Sequence, residues 1–195
     1  MRLFVAVDVG DAVRREVARV VSSLSHTLEA AKTPPRIVWV KPAALHVTIR
    51  FLGEVPDGEV PSIVSALTPP LTMAPFGLEW RGLGAFPGPR QPRALWLGVV
   101  SGGVPLAQLE AEVSRRLAGE HTSELAARAF LPHLTIGRIK MPGSGVDWPK
   151  VLQAVEVRHV QSAVARVTLY RSELTQFGPN YTGLVSAPLI GAGTD

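Results

Sequence analysis

The sequence contains no cysteine. This absence excludes a disulfide scaffold, a zinc site built on thiolates and a cysteine nucleophile. Charged residues are also scarce, at 18% of 195 residues against 46% apolar ones, which indicates a globular rather than a disordered chain. A chain of this length can bury a sizeable core, as one large domain or as two small lobes.

Long apolar runs and a targeting segment are missing as well. No apolar run approaches the roughly 18 residues that a membrane span needs. The N-terminal stretch MRLFVAVDVGDAVRREV reaches an acidic residue at Asp8 and has no small-residue cleavage site, unlike a signal peptide. We therefore expect a soluble, cytoplasmic protein that does not act at a membrane.

The net charge is mildly positive. The formal value is +4 and the sequence pI is near 10.0. This charge suits an anionic partner, but many basic proteins are merely soluble. The charge alone therefore does not identify a partner.

One four-residue pattern, His-x-Thr-x with apolar residues at both x positions, occurs twice. It reads His-Val-Thr-Ile at 46–49 and His-Leu-Thr-Ile at 133–136. Both copies lie in apolar segments typical of strands, and side chains alternate between the two faces of a strand. We therefore expect each histidine and its threonine on one face, about 7 Å apart, with the apolar residues in the core.

The surroundings of this motif are repeated too. In each half, the pattern predicts a buried strand (2–9 and 93–100), an amphipathic helix (13–28 and 106–117) and then the motif strand. This order predicts an α+β fold with two similar lobes in a single domain over 1–195, related by approximate two-fold symmetry. The Pro- and Gly-rich stretch 84–94 is expected to connect the two lobes.

The remaining segments complete this organisation. Apolar patterns and turn residues predict strands over 36–40, 45–52, 76–87, 133–139 and 163–174, a turn over 177–184 with a strand leaving it, a helix over 59–67, and a helix over 147–157 capped by Asp147.

Two imidazoles and two hydroxyls across one cleft fit a phosphodiester. One neutral histidine takes a proton from the attacking water, and one imidazolium protonates the departing oxygen. Threonine hydroxyls donate to the non-bridging oxygens, while a cation such as Arg50 or Arg138 offsets developing charge. Strict alternation after His133 would turn Arg138 away from the cleft, unless Gly137 marks a bulge.

Other chemistries fit the sequence less well. Neither motif has a third zinc ligand or a carboxylate at a suitable spacing. A Gly-x-Ser-x-Gly elbow is missing, and the Gly-Ser-Gly at 143–145 lacks the spacing of a phosphate loop. We therefore expect neither metal nor cofactor, and we assign His26, His121 and His159 to structure or surface.

The two motifs, within HVTIRFLG and PHLTIGR, resemble those of the 2H phosphoesterase superfamily. The segments RLFVAVDV, LWLGV, LYRSEL and GPNYTGL resemble its RNA 2',3'-cyclic phosphodiesterase branch, once called 2'-5' RNA ligases, and the similarity spans nearly the whole chain. This resemblance implies a bilobal fold with two antiparallel sheets and flanking helices around a central cleft. It also implies metal-independent opening of 2',3'-cyclic phosphate ends to 2'-phosphates.

The resemblance also implies roles for five residues: His46 as general acid, His133 as general base, and Thr48, Thr135 and Arg138 as phosphate ligands. The implied partners are RNA ends or cyclic nucleotides, and the expected protein is a monomer.

Two alternatives remain open from the sequence. One is a 2'-5' RNA ligase, which runs the reverse reaction and needs no extra residues. The other is a non-catalytic RNA-binding module with a two-lobed groove.

The family often has lysine where this chain has Arg50, whose planar fork prefers a different phosphate geometry. Phe4, Trp39 and Phe51 are candidates for stacking a base, although core packing explains each of them as well.

Overall fold

The computed structural model describes residues 1–119, 130–175 and 178–191. His121 lies outside these ranges. Within them, nine strands and four helices form an α+β fold. Their bounds are β1 Arg2–Asp8, α1 Asp11–Glu29, β2 Arg36–Trp39, β3 His46–Glu54, α2 Val60–Leu67, β4 Phe76–Phe86, β5 Ala94–Ser101, α3 Gly103–Arg116, β6 His133–Met141, α4 Trp148–Ala154, β7 Val160–Val164, β8 Arg166–Thr175 and β9 Gly178–Pro188.

The strands form two antiparallel sheets, as predicted. The first sheet has the order β3-β1-β8-β9, and the second has the order β2-β6-β5-β4-β7. Each sheet contains one motif strand, β3 or β6, paired with the strand that precedes it in the repeat. The series β3-β1-β8-β9 and β6-β5-β4-β7 therefore correspond, and β2 is an additional edge strand of the second sheet.

The chain connects the two sheets at other places than the sequence predicted. Phe86 of β4 pairs with Ala94 of β5, so the stretch after β4 closes a hairpin within the second sheet. The expectation that 84–94 connects the lobes was wrong, because proline and glycine end a strand equally well at a hairpin and at a crossover.

The segment predicted as one strand over 163–174 is in fact two. It divides at Ala165 into β7 of the second sheet and β8 of the first. The predicted turn over 177–184 is largely part of β9, which begins at Gly178. Alternation of apolar and polar residues continues through a change of sheet, so the pattern alone does not reveal it.

Helix positions follow their apolar patterns. The buried face of α1 contains Val13, Val17, Val20, Leu24 and Leu28, as its periodicity predicted. Side chains from both sheets and from these helices form one buried cluster. The predicted cap of α4 is confirmed, because Asp147 Oδ1 accepts a hydrogen bond from the backbone N–H of Lys150 at 3.2 Å.

None of the helices within the described ranges is long and apolar enough to cross a membrane.

A buried carboxylate connects α1 to the segment before β7. Glu16 is only 5% exposed, and it accepts hydrogen bonds from Arg19 Nε at 3.0 Å and from the Arg158 backbone N–H at 2.7 Å. Burial alone would raise the pKa of this carboxyl, but the bonds from Arg19 and Arg158 outweigh it and lower the pKa. The ionised form therefore stabilises the folded state.

We expect Glu16→Ala to lower the free energy of unfolding by about 1–3 kcal/mol, because the Arg19 guanidinium and the Arg158 backbone N–H lose their charged acceptor. Glu29→Ala is the matched control on the same helix, since Glu29 is 74% exposed, and it should change little. Because the folded-state pKa is lowered, the wild-type advantage is present above the ordinary pKa of 4.5 and disappears as the pH falls through the folded value. Urea unfolding of both variants at neutral and acidic pH measures this; equal losses in the two would contradict it.

Candidate active site

A pocket opens where the two motif strands meet. β3 and β6 contact each other although they belong to different sheets. All five residues singled out in the sequence line this pocket: His46, Thr48, His133, Thr135 and Arg138. Its empty volume, with the open mouth included, is about 780 Å³.

The two histidines are held in the same way. Nδ1 of His46 lies 2.8 Å from the carbonyl oxygen of Ala44, and Nδ1 of His133 lies 2.6 Å from that of Leu131. In both motifs the carbonyl belongs to the residue two positions earlier. A carbonyl oxygen only accepts, so each Nδ1 carries the proton and donates it. Each ring therefore keeps its Nε2 for chemistry in the pocket.

Aromatic side chains fix the plane of each imidazole. The ring of Phe4 stacks on His46 with centroids 4.8 Å apart, and Tyr181 meets His46 edge-on at 5.3 Å. His133 has an edge contact with Phe86 at 4.9 Å, and Trp96 lies behind it. These contacts leave each ring little freedom to rotate.

Glycine at position 84 makes room for one of these aromatic rings. A Cβ at Gly84 would lie 2.1 Å from the ring of Trp96. This close approach lets Trp96 lie across β4, where it supports both Phe86 and His133.

A β-bulge in β6 turns Arg138 into the pocket. Thr135 pairs with Trp96 of β5 and Gly137 pairs with Leu95, so Ile136 is the extra residue of the bulge. The alternation therefore shifts by one, and Arg138 shares the face of His133 and Thr135. Glycine is needed beside the bulge, because a Cβ at Gly137 would lie 2.6 Å from the Trp39 ring.

The same bulge occurs in β3, with the opposite consequence for its cation. Thr48 pairs with Ala6 of β1 and Arg50 pairs with Val5, so Ile49 is the extra residue. Arg50 corresponds to Gly137, and its side chain is turned away from the pocket.

The expectation that Arg50 lines the cleft was therefore wrong. Its Nη1 pairs with Glu110 Oε1 at 3.2 Å and bonds to Ser114, both on α3. The position equivalent to Arg138 is held by Phe51, which lies under the guanidinium of Arg2 at 5.0 Å. Of the two motif strands, both of which lie within the described ranges, only β6 places an arginine in the pocket lining.

Of the three aromatic residues considered as base-stacking candidates, Trp39 is the one that lines the pocket. Phe4 is buried behind His46, and Phe51 lies outside the pocket lining. The sequence analysis missed two further lining residues with polar side chains, Lys41 and Tyr181. Lys41 precedes a short proline turn before β3, which gives no signal of a site. Tyr181 lies within the GPNYTGL segment, whose glycine, proline and asparagine predicted a turn rather than the strand β9.

Both threonine hydroxyls are available in the pocket. Neither Thr48 nor Thr135 uses its hydroxyl in a hydrogen bond to another described residue. Arg138 likewise forms no ion pair within the described ranges, and it is exposed toward the pocket mouth. The two hydroxyls and the Arg138 guanidinium thus line the same pocket as the two imidazoles.

The two histidines differ in their electrostatic surroundings. Burial lowers the pKa of His46, and the positive charges of Arg138 and His133 lower it further. The hydrogen bond to Ala44 and the Asp8 carboxylate raise the pKa of His46. The lowering causes outweigh the raising ones, so the pKa of His46 lies below its ordinary value. Asp8 is the cross-strand neighbour of His46 on β1. The corresponding neighbour of His133 on β5 is Gly98.

Asp8 is itself held in place by Tyr170. The phenol donates to both carboxylate oxygens, at 2.8 and 3.0 Å. Burial and the hydrogen bond to Asp8 raise the pKa of Tyr170 to about 12, so the phenol stays neutral and remains a donor. Apart from the pocket histidines, His26 and His159 are exposed side chains beside Glu29 and Glu79, as expected.

No three His, Asp or Glu side chains are close enough together to hold a metal ion within the described parts of the chain. The polar groups of the pocket are imidazoles, hydroxyls and cations, with no carboxylate in its lining. This donor set suits an anion better than a divalent cation.

Comparison with known proteins agrees with this geometry. A sequence profile described as the 2'-5' RNA ligase superfamily matches residues 9–176. A protein of Methanothermobacter thermautotrophicus named RNA 2',3'-cyclic phosphodiesterase is 34% identical over 190 residues, which are 94% of this chain and 96% of that protein.

Solved structures match over the whole chain as well. The crystal structure of TT0787 of Thermus thermophilus superposes with a TM-score of 0.74 at 29% identity, covering 99% of this chain and 100% of that one. The E. coli LigT complex with 3'-AMP has a TM-score of 0.64 at 25% identity, covering 96% and 97%. With the profile covering most of the sequence and both histidine motifs within it, this chain belongs to the 2'-5' RNA ligase superfamily.

Proposed function

We propose that this protein is an RNA 2',3'-cyclic phosphodiesterase that opens cyclic phosphate ends to 2'-phosphates. The observation that carries this proposal is the paired arrangement of His46 and His133, each with its Nδ1 bonded to a backbone carbonyl in one shared pocket. The relatives' names and the LigT complex with 3'-AMP support RNA or nucleotides as the substrate class.

The reaction requires two proton transfers on opposite sides of one phosphorus atom. Nε2 of His133 takes a proton from water as its oxygen forms a bond to phosphorus. The bond from phosphorus to O3' breaks, and protonated His46 gives its Nε2 proton to that oxygen. The products are a 2'-phosphate and a free 3'-hydroxyl, and the scheme balances without a metal ion.

Phosphate binding is assigned to the other three predicted residues. The hydroxyls of Thr48 and Thr135 donate to the non-bridging oxygens, where charge increases in the transition state. Arg138 neutralises that charge through its guanidinium, whose planar fork matches phosphate oxygens. The lining residues Lys41 and Tyr181 lie near enough to contact the nucleotide.

Asp8 gives a physical reason for assigning the acid role to His46. Its negative charge favours the protonated imidazole of His46, and no equivalent carboxylate stands at Gly98 beside His133. A bound phosphodiester adds a second negative charge and offsets the positive charges of Arg138 and His133. We infer that substrate binding raises the pKa of His46 and prepares it as a donor.

The domain organisation and location belong to the same proposal. Residues 1–195 form a single domain of two lobes that acts as a cytoplasmic monomer. In support, both sheets contribute side chains to one buried cluster and to one pocket. A chain without cysteine also suits a reducing compartment.

The direct test is hydrolysis of 2',3'-cyclic nucleotides and of RNA with a cyclic end, in the presence of EDTA. We expect full activity and a 2'-phosphate product, because the two imidazoles carry both proton transfers. Phosphorus NMR distinguishes the 2' from the 3' product. Activity that returned only after a divalent ion was added would contradict the scheme in favour of a metal-activated water.

Leaving-group dependence separates the two histidines. His46→Ala and His133→Ala should each slow cyclic phosphate hydrolysis by roughly 10²- to 10⁴-fold. With bis(p-nitrophenyl) phosphate, whose leaving group needs little protonation, His46→Ala should recover and His133→Ala should not.

The matched control is His159→Ala, an exposed histidine paired with Glu79, which should behave as wild type on both substrates. Recovery of His133→Ala instead would exchange the two roles.

Asp8→Asn should move the pH profile in a defined direction. Removal of the carboxylate charge lowers the pKa of His46, and a general acid works only while protonated. In this variant, the alkaline limb of the kcat/KM profile should therefore shift to lower pH. The alkaline limb of the kcat profile reports the enzyme with its phosphate substrate bound, and it should lie at higher pH than the alkaline limb of kcat/KM. Asp11→Asn makes the same charge change at an exposed position and should leave the limb in place. An unmoved limb in Asp8→Asn would refute the role of this carboxylate.

A further inference from the structure

We propose that the RNA strand leaving the active-site pocket lies over the end of β6 and the β4–β5 hairpin, where Arg90, Arg93 and Lys140 bind its backbone phosphates. We call these three residues the basic groove. The proposal rests on the proposed function, since it assigns a path to the part of the substrate that lies upstream of the cyclic end.

The basic groove and the active-site pocket are lined by neighbouring residues of β6. Arg138 lines the pocket, and Lys140, two residues further along β6, lines the groove. Arg93 lies beside them, because its carbonyl oxygen accepts a hydrogen bond from the backbone N–H of Ile139 at 2.9 Å. Arg90 lies in the same hairpin. The groove cations and Arg138 therefore lie near one another at this end of the second sheet.

The groove is open and its lining has no negative charge. Its empty volume is about 1110 Å³ with the open mouth included, and no aspartate or glutamate is among the lining residues. Within the described ranges, Arg90, Arg93 and Lys140 are exposed and form no ion pair.

Several arginines elsewhere in the described ranges are paired with carboxylates, whereas others, such as Arg15 and Arg166, are not. Arg19 pairs with Glu16, Arg50 with Glu110, and Arg116 with Glu112. The three cations at the end of β6 are distinguished by lining one groove together without a carboxylate, which is the arrangement expected for a surface that binds a polyanion.

The chemistry of the substrate identifies the occupant. A cyclic mononucleotide has a single phosphate, which the two histidines, the threonines and Arg138 already surround. An RNA with a cyclic end has further phosphates upstream, each with one negative charge. Grouped cations without carboxylates in their groove, next to this pocket along β6, therefore suit a polynucleotide better than a mononucleotide.

The test compares two double variants that remove the same charge. Arg93→Gln with Lys140→Gln removes two cations of the basic groove. Arg15→Gln with Arg166→Gln removes two exposed arginines that line neither the pocket nor the groove. KM is measured for cyclic CMP and for a ten-nucleotide RNA with a 2',3'-cyclic end, over a range of salt concentrations.

We expect the groove variant to raise KM for the RNA several-fold, and to reduce the slope of log KM against log salt by about 1.4, or about 0.7 per lost contact. Its kcat on the RNA and its kinetics with cyclic CMP should match wild type, which also shows that it folds. The control variant should match wild type on both substrates.

Each other outcome overturns the inference. A groove variant with wild-type KM and salt slope for RNA would show that the strand leaves by another path, while activity on cyclic CMP would leave the proposed function intact. Equal effects in both double variants would indicate general charge attraction. Failure of the wild type to hydrolyse either substrate would remove the proposed function, and this inference with it.

Discussion

The site depends on a hydrogen bond that occurs twice, from histidine Nδ1–H to the carbonyl oxygen of the residue two positions earlier. An imidazole has two nitrogens, and its chemistry is defined only when one of them is committed. At His46 and His133 the backbone itself makes this commitment, through the carbonyls of Ala44 and Leu131. Because the partner is main chain, the tautomer is fixed by the backbone at the start of the strand rather than by another side chain.

Two equal motifs would not by themselves divide an acid from a base. The difference arises one strand away, where β1 places Asp8 beside His46 and β5 places Gly98 beside His133. A second difference follows the bulge in each motif strand. In β6, the extra residue of the bulge brings Arg138 into the pocket. In β3, the extra residue of the bulge turns Arg50 toward Glu110 on α3. The pseudo-symmetric frame thus supports a site whose charges are asymmetric.

Much of this arrangement could be predicted from local patterns. The apolar positions flanking His46 and His133 define which face their threonines share, and the periodicity of α1 predicts its buried side. The sequence could not show that the stretch 84–94 closes a hairpin, because the same residues end a strand in either topology. It also could not place Arg50, Lys41 or Tyr181, whose positions depend on a bulge, a short turn and a neighbouring sheet. Local patterns determine faces, whereas register and pairing are set by the rest of the molecule.

Both imidazoles keep Nε2 for the shared pocket because the backbone holds their Nδ1 protons. Nitrogen-15 NMR of the histidine rings measures the tautomer directly, at a pH where both rings are neutral. We predict the Nδ1–H tautomer for His46 and His133, and a change of both Nε2 signals when a 2'-phosphate nucleotide is added. An Nε2–H tautomer at either residue in the free protein, or an Nε2 signal that does not respond to the nucleotide, would contradict it.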